Sequence, residues 1–168
     1  MAGCAHTRAA NAGSPTRGER SQRVGTGAGR AGSRALNLYL DASALVKRYV
    51  AEPGSDTILD AMDRANGWFM CRIGFVETVR AVGLSTGQAA TEAVRQEWPA
   101  FGVIEVDQRL VEDAANLAIA RELRSIDALH LAAALMLPRD DLLLSTWDRR
   151  LHAAAAAEGL ALAPEKLD

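Results

Sequence analysis

The chain has few of the residues that build covalent or metal cross-links. Only Cys4 and Cys71 occur among its 168 residues, too few for a disulfide framework or a structural zinc site. No stretch approaches the roughly 18 consecutive apolar residues that mark a membrane-spanning helix. Apolar residues still make up 49% of the chain, enough for a buried core without cross-links. We therefore expect a cytoplasmic protein with reduced thiols, one folded domain and no membrane segment.

Lysine is also scarce, since it occurs only at positions 47 and 166, against 17 arginines. The charge is uneven along the chain. Residues 1–34 carry six Arg and one Glu, whereas residues 35–168 carry 13 basic and 20 acidic side chains, a net charge of −7. This acidity excludes a domain that binds polyanions through its overall charge. If the domain acts on a nucleic acid, a local basic patch and a bound cation must offset it.

The first 34 residues have almost nothing that could enter a core, because Val24 is their only large aliphatic residue after Met1. Such a segment cannot offset its ordering entropy and is predicted to be disordered. It also lacks the apolar region of a signal peptide. We interpret it as a dispensable basic tail, or as translated upstream sequence from a start codon set too early. A basic arm that holds RNA is the functional alternative.

From Ala35 onward, apolar runs of strand length alternate with helical patterns, which predicts an α/β domain over residues 35–168. The predicted strands are 36–41, 68–73, 103–106, 142–145 and, at an edge, 160–163. The predicted helices are 42–50, 55–65, 74–84, 88–98, 108–123, 127–136 and 148–158. This alternation is typical of a mainly parallel sheet with helices on both faces.

Four carboxylates stand at the edges of apolar runs: Asp41, Glu77, Asp127 and Asp148. Asp41 follows the first strand and Asp148 the strand at 142–145. If these strands are neighbours, both carboxylates lie in the crevice beyond the carboxyl ends of the strands, where α/β sheets bind ligands. The other two must then reach the crevice from helices. Converging carboxylates with no cation among them favour a hard divalent metal ion.

Each of these residues also has a simpler interpretation. Asp41, Asp127 and Asp148 directly precede helical patterns, so each is a candidate helix N-cap, and Glu77 taken alone is a solvated helical residue. Capping and metal binding can coexist, because a helix N-terminus can orient an Asp whose carboxylate then binds a cation. The cap interpretation therefore stays open beside the metal interpretation.

Four segments of the chain resemble the motifs of PIN-domain ribonucleases, and more closely those of the toxins of VapBC toxin–antitoxin systems. They are residues 38–47 (LYLDASALVK), 75–80 (FVETVR), 126–134 (IDALHLAAA) and 144–151 (LSTWDRRL). The resemblance covers about residues 36–165 in the order and spacing of that family. One departure is Ala42, which stands where Thr is common, although Ser43 keeps a hydroxyl at that point.

The resemblance implies a PIN-like three-layer α/β/α fold whose mainly parallel central sheet has four to five strands. It also implies an endoribonuclease that depends on Mg²⁺ or Mn²⁺, in which a metal-activated water attacks a phosphodiester. Asp41, Glu77, Asp127 and Asp148 would be the catalytic and metal-binding quartet. We expect Asp41 and Asp127 to be direct ligands, and Glu77 and Asp148 to complete the pocket, bind a second ion or orient the water. The implied partners are a small VapB-like antitoxin and a second copy of the chain in a homodimer.

Other side chains near the motifs receive weaker assignments. Ser43 and Thr146 are candidate supporting residues that could hydrogen-bond a carboxylate or the phosphate. The candidate RNA contacts lie on helices that begin at the site: Lys47, Arg48, Arg149 and Arg150. His130 is interpreted as a packing or surface residue, and Trp147 as a core residue that could instead stack on a base.

Two competing functions remain at this stage. One is a phosphoryl-transfer domain that uses Asp41 as nucleophile; a haloacid-dehalogenase-like site of that kind would need a second Asp at position 43, where Ser43 stands. The other is a catalytically inactive PIN-like binding module, which the intact quartet argues against.

Overall fold

The structure, a computed structural model, describes residues 36–167. The predicted disordered tail, residues 1–34, lies outside the described residues. The strands are β1 (Asn37–Leu40), β2 (Gly67–Cys71), β3 (Phe101–Ile104), β4 (Leu142–Ser145) and β5 (Ala161–Ala163). The helices are α1 (Ala42–Tyr49), α2 (Ser55–Arg64), α3 (Arg72–Thr86), α4 (Gln88–Glu97), α5 (Gln108–Arg121), α6 (Ser125–Leu135) and α7 (Arg149–Ala157).

The five strands form one sheet in the order β3-β2-β1-β4-β5, and every pair is parallel. The chain builds outward from β1 through β2 to β3 and then returns to the other side of β1 with β4. The strand order therefore reverses between β1 and β4, which places the ligand-binding crevice of this fold at their carboxyl ends. The predicted fold class, the neighbouring positions of these two strands and the β5 edge strand are confirmed.

Alternation along the strands divides the core between the two faces of the sheet. Leu38 and Leu40 are fully buried against α1 and α2 on one face. Tyr39, between them, is fully buried on the other face with residues of α5, α6 and α7. The helices on both faces complete three layers, as expected. Within residues 36–167, none of the helices has the length and apolarity that crossing a membrane requires.

Several predicted boundaries were wrong by two residues, among them the starts of β3 and α6 and both ends of α3. Strand β3 begins at Phe101 rather than at residue 103. A 3₁₀ turn over Trp98–Ala100 contains Pro99 and leads directly into the strand. Gly102 obscured this start, since glycine weakens a strand pattern. Its hydrogen faces the ring of Phe69, where a Cβ would lie 2.6 Å from ring carbons.

Helix α6 begins at Ser125 rather than at Asp127. The preceding helix ends in a tight turn, in which Glu122 is left-handed with φ +53° and the Leu123 N–H bonds the Ala118 carbonyl. That closure needs only residues 122–124, so the next helix starts earlier than the pattern indicated. Asp127 is consequently the third residue of α6 and not its N-cap, which corrects the cap interpretation at this position.

Two glycines offer a paired test of the packing around the candidate site. Gly54 is the N-cap of α2 and has φ +93°, and a Cβ there would lie 2.5 Å from the indole of Trp147. Gly159 follows α7 with φ +78° and has open space around its Cβ position. We expect Gly159→Ala to lower the free energy of unfolding by about 1–2 kcal/mol, the conformational cost alone. Gly54→Ala should cost roughly 1–3 kcal/mol more through overlap with the indole.

Urea unfolding of both variants beside the wild type measures the difference. Equal losses for the two substitutions would contradict the close packing of Trp147 on the backbone at Gly54.

Candidate active site

The candidate site lies at the carboxyl ends of β1 and β4. Leu40 pairs with Ser145 as the last register position of the two strands, and the Asp41 N–H then donates to the Ser145 carbonyl at 3.2 Å. Asp41 and Asp148 are the N-caps of α1 and α7, the helices that follow these strands. The parallel pairing therefore brings two sequence-distant acids to one edge of the sheet.

The Asp41 carboxylate is buried, with 5% of the residue exposed, and both of its oxygens accept hydrogen bonds. Oδ1 accepts from the Ala44 N–H at 2.9 Å and from the Ser43 hydroxyl at 2.8 Å. Oδ2 accepts from the Thr146 hydroxyl at 2.9 Å and is 3.0 Å from the Ser43 hydroxyl. Burial raises the pKa of the Asp41 carboxyl above its ordinary 3.8, although nearby His130 and these donors act to lower it.

The two hydroxyls also tie the loop after β4 to the start of α1. The Trp147 N–H donates to the Ser43 oxygen at 2.7 Å, and the Asp148 N–H donates to the Thr146 oxygen at 3.0 Å. The structure thus brings both predicted supporting residues to the Asp41 carboxylate. Their position on either side of it fixes the orientation of that carboxylate.

The Asp148 carboxylate performs the predicted capping role. Its Oδ1 accepts from the backbone N–H groups of Arg150 at 2.8 Å and Leu151 at 2.9 Å. The cap interpretation is confirmed for Asp41 and Asp148. In both residues the cap uses Oδ1, so capping occupies one carboxylate oxygen and orients the other.

Asp127 differs from Asp41 and Asp148 because its Oδ2 is buried and has no hydrogen-bond partner. Burial is the main cause that raises the pKa of the Asp127 carboxyl, and the negative charges of Asp148 and Glu77 raise it further. Arg124 and His130 oppose this increase. Asp148 and Glu77 therefore lie close enough to Asp127 to act on its carboxyl.

Glu77 reaches this neighbourhood from α3, where its side chain is 31% exposed. Its Oε2 lies 2.9 Å from Nε2 of His130, whose Nδ1 is 2.9 Å from the Tyr39 hydroxyl. His130 is 2% exposed, and the interpretation as a packing or surface residue overlooked its bond to Glu77. The available signal was spacing, because His130 follows Asp127 by three residues and so shares its helix face.

The four acids do not form a closed ligand shell. Among residues 36–167, no three His, Cys, Asp or Glu side chains are grouped so that they could hold a metal ion by themselves. This open arrangement suits Mg²⁺, which usually keeps several waters and takes one or two protein carboxylates together with substrate phosphates. The unpartnered Asp127 oxygen and the all-oxygen donor set therefore fit a hard divalent ion.

The four candidate RNA contacts fall into two groups. Lys47 donates to Glu52 and to the Pro53 carbonyl, both at 2.9 Å, and Arg48 is paired with Glu97. Contact of either with RNA would require these bonds to break. Arg149 and Arg150 form the second group, and both are exposed to solvent in the first turn of α7.

A cavity of about 520 Å³ lies beside the acids, with Pro53, Gly54, Thr57, Pro164 and Leu167 among its lining. Its charged lining consists of Lys47, Arg149 and Lys166, so both lysines of the chain face it. Trp147 and Lys47, whose ammonium lies 4.7 Å from the indole centroid, also line a second cavity of about 560 Å³ that includes Ser43 and Glu77. A cationic cavity thus adjoins, at Trp147, a second cavity whose charged lining is mixed: Glu52, Glu77, Lys47 and Arg80.

Comparison with known proteins identifies the family. The PIN domain profile matches residues 38–157. Ribonuclease VapC45 of Mycobacterium tuberculosis is 34% identical over 140 residues, which cover 78% of this chain and 97% of that protein. The crystal structure of the same organism's VapC20, a sarcin-ricin loop cleaving toxin, has a TM-score of 0.62 at 16% identity and covers 78% of this chain and 99% of that one.

A further fold neighbour is VapBC-1 from nontypeable Haemophilus influenzae, with a TM-score of 0.55 at 13% identity, covering 76% of this chain and 96% of that chain. The family profile spans most of the chain, and the relative from M. tuberculosis is matched over nearly its whole length. The chain therefore belongs to the PIN-domain family, as a relative of the VapC ribonucleases.

Proposed function

We propose that the chain is a Mg²⁺- or Mn²⁺-dependent endoribonuclease and the toxin of a toxin–antitoxin pair. The observation that carries this proposal is the buried, unpartnered Oδ2 of Asp127 beside Asp148 and Glu77. A carboxylate oxygen held away from both water and hydrogen-bond donors is costly unless a cation binds it. The kinship with VapC ribonucleases supports RNA as the substrate.

In this proposal Asp41 and Asp127 hold the ion directly, while Glu77 and Asp148 complete the pocket. When bound, such an ion supplies a nucleophilic water at neutral pH and neutralises charge on the scissile phosphate. Ser43 and Thr146 hold the Asp41 carboxylate in one orientation, so it need not reorganise when the substrate arrives. The Asp148 carboxylate is fixed by its two backbone donors in the same way.

The cationic cavity supplies a path for the RNA backbone away from the acids. Arg149 and Lys166 face this cavity, and Trp147 lines both it and the neighbouring cavity that contains Ser43 and Glu77. Phosphates entering an acidic domain require such a local positive region. We assign Arg149 and Lys166 to phosphates that flank the scissile one, with Arg150 as a further contact at the same helix start.

The proposed protein partner is a VapB-like antitoxin. Solved fold neighbours include toxin–antitoxin complexes, among them one from Klebsiella pneumoniae. The acidic pocket of this chain offers a complementary site for a basic side chain of such a partner. We further propose a homodimer and a cytoplasmic location, in keeping with the family.

Asp41→Asn tests the catalytic assignment against a matched cap variant. The asparagine keeps an oxygen for the α1 cap but removes the negative charge. We expect RNA cleavage to fall by at least about a hundredfold, the scale of losing one preorganised electrostatic group, and growth arrest on induction to disappear. EDTA should abolish cleavage by the wild type.

The matched control is Asp107→Asn, at an exposed N-cap two strands away whose Oδ1 accepts from the Leu110 N–H at 2.8 Å. It should cleave RNA like the wild type on a gel of total RNA. Equal behaviour of wild type and Asp41→Asn would refute the nuclease proposal and favour a binding module.

Asp127→Asn tests metal binding without an activity assay. In metal-free protein at neutral pH, we expect it to raise the free energy of unfolding by on the order of 1 kcal/mol, because it removes a partly buried charge. The gain should shrink as pH falls through the raised folded-state pKa and vanish below 3.8, where folded and unfolded Asp127 are both protonated. Mg²⁺ or Mn²⁺ should raise the Tm of the wild type only.

The control is Asp113→Asn on the exposed face of α5, which should leave both the stability and the metal response within about 0.5 kcal/mol of the wild type. A variant at Asp127 that gains as much stability from Mg²⁺ as the wild type would exclude this residue as a ligand.

Arg149→Ala combined with Lys166→Ala tests the RNA path. We expect KM for RNA to rise with kcat nearly unchanged, because these contacts are made equally in the ground and transition states. The salt slope of binding should weaken by about 0.7 for each lost contact to single-stranded RNA. Arg109→Ala, at an exposed arginine on α5, is the control. A fall in kcat at constant KM would contradict the assignment.

A further inference from the structure

A continuous line of hydrogen bonds runs from the centre of the sheet to Glu77. The Cys71 N–H, at the end of β2, donates to the Tyr39 hydroxyl oxygen at 3.3 Å. That hydroxyl is 2.9 Å from Nδ1 of His130, and Nε2 of the same ring is 2.9 Å from Oε2 of Glu77. The four residues belong to β1, β2, α6 and α3, so the line crosses from the core to the acidic site.

The hydrogen-bond capacity of each group gives the line a direction. Tyr39 is fully buried, and its oxygen already accepts from the Cys71 N–H, so its own O–H has His130 Nδ1 as acceptor. Nδ1 then carries no proton, and Nε2–H donates to the Glu77 carboxylate. If Nδ1 were protonated instead, the buried Tyr39 O–H would have no acceptor among the described residues, which is costly.

The packing also fixes the position of the ring. His130 is 2% exposed and meets the Tyr39 ring edge-on, with centroids 6.0 Å apart and planes at 79°. On α3, one turn before Glu77, Gly74 leaves room for Met70 and for the imidazole; a Cβ there would lie 2.6 Å from Met70 Sδ and 3.1 Å from Cε1 of the ring. The ring therefore has one orientation, and its Nε2–H is aimed at Glu77.

We propose that His130 is a positioning residue for the reaction: Tyr39 orients its imidazole through Nδ1, and its Nε2–H holds the Glu77 carboxylate toward the other acids. Glu77 has a long side chain that is 31% exposed, and without this bond it could adopt several rotamers toward solvent. The bond occupies Oε2 and leaves Oε1 for the chemistry of the site. This proposal rests on the proposed nuclease function.

The direct test is the tautomer of His130, measured by long-range ¹H–¹⁵N correlation spectra of the full chain at neutral pH without metal. We expect Nε2 protonated and Nδ1 unprotonated in the wild type, and loss of this pattern in Tyr39→Phe. Tyr49→Phe is the matched control, because it removes a tyrosine hydroxyl that bonds Glu97 instead. A wild-type ring protonated at Nδ1 overturns the proposal.

Kinetics of two further variants separate positioning from folding. His130→Leu should lower kcat by about 10–100-fold, the range for residues that orient metal-site ligands, with KM for RNA within about threefold. His130→Gln, which keeps an N–H donor for Glu77, should recover most of this loss. A folded His130→Leu with wild-type kcat, or a Gln variant as impaired as the Leu variant, overturns the proposal.

The spectra remain decisive if the chain does not cleave RNA. In that case the expected tautomer and its loss in Tyr39→Phe would still support the hydrogen-bond line, while only the nuclease function would fail. If His130→Leu does not fold, Tyr39→Phe takes its place in the kinetic comparison. We expect this variant to lower kcat as well, but by less.

Discussion

The hydrogen bonds that Asp41 makes hold the candidate site together. Its backbone N–H extends the pairing of β1 with β4, and its carboxylate caps α1 while it accepts from Ser43 and Thr146. The same hydroxyls receive the backbone of the loop that leads to Asp148. One buried carboxylate therefore fixes the relation between two strand ends and two helix starts, and its three donors offset much of its desolvation.

The unfavourable electrostatic energy of this arrangement is concentrated at Asp127. Asp41 and Asp148 are oriented by caps, and Glu77 is held by His130, but one oxygen of Asp127 lies buried without a donor. Burial and neighbouring negative charges both raise the pKa of its carboxyl. A site that is electrostatically unfavourable when it lacks a cation is well suited to bind one, because the ion offsets the repulsion and desolvation of the buried carboxylates. Under the proposed function, the same buried oxygen that lowers the stability of the metal-free protein is the one that binds the ion.

Local patterns in the sequence predicted most of the fold. The apolar run at 142–145 matched β4, and the strand–helix alternation indicated a parallel sheet with helices on both faces. The caps at Asp41 and Asp148 were predictable because a cap depends on residues within one helical turn. The errors arose where tertiary packing decides a boundary. Gly102 lies within β3 because the ring of Phe69 packs over it. The left-handed turn at Glu122 lets α6 start two residues before its predicted start.

The features of the candidate site also separate into those that local sequence predicts and those that tertiary packing decides. The sequence alone determined which carboxylates, hydroxyls and cations follow each strand, since those motifs are short and contiguous. Only the tertiary structure decided that Thr146 binds a carboxylate 105 residues away, that His130 joins Tyr39 and Glu77 at separations of 91 and 53 residues, and that Lys47 and Arg48 are taken up by glutamates. Contacts of this range depend on strand order and helix packing, which no local pattern encodes.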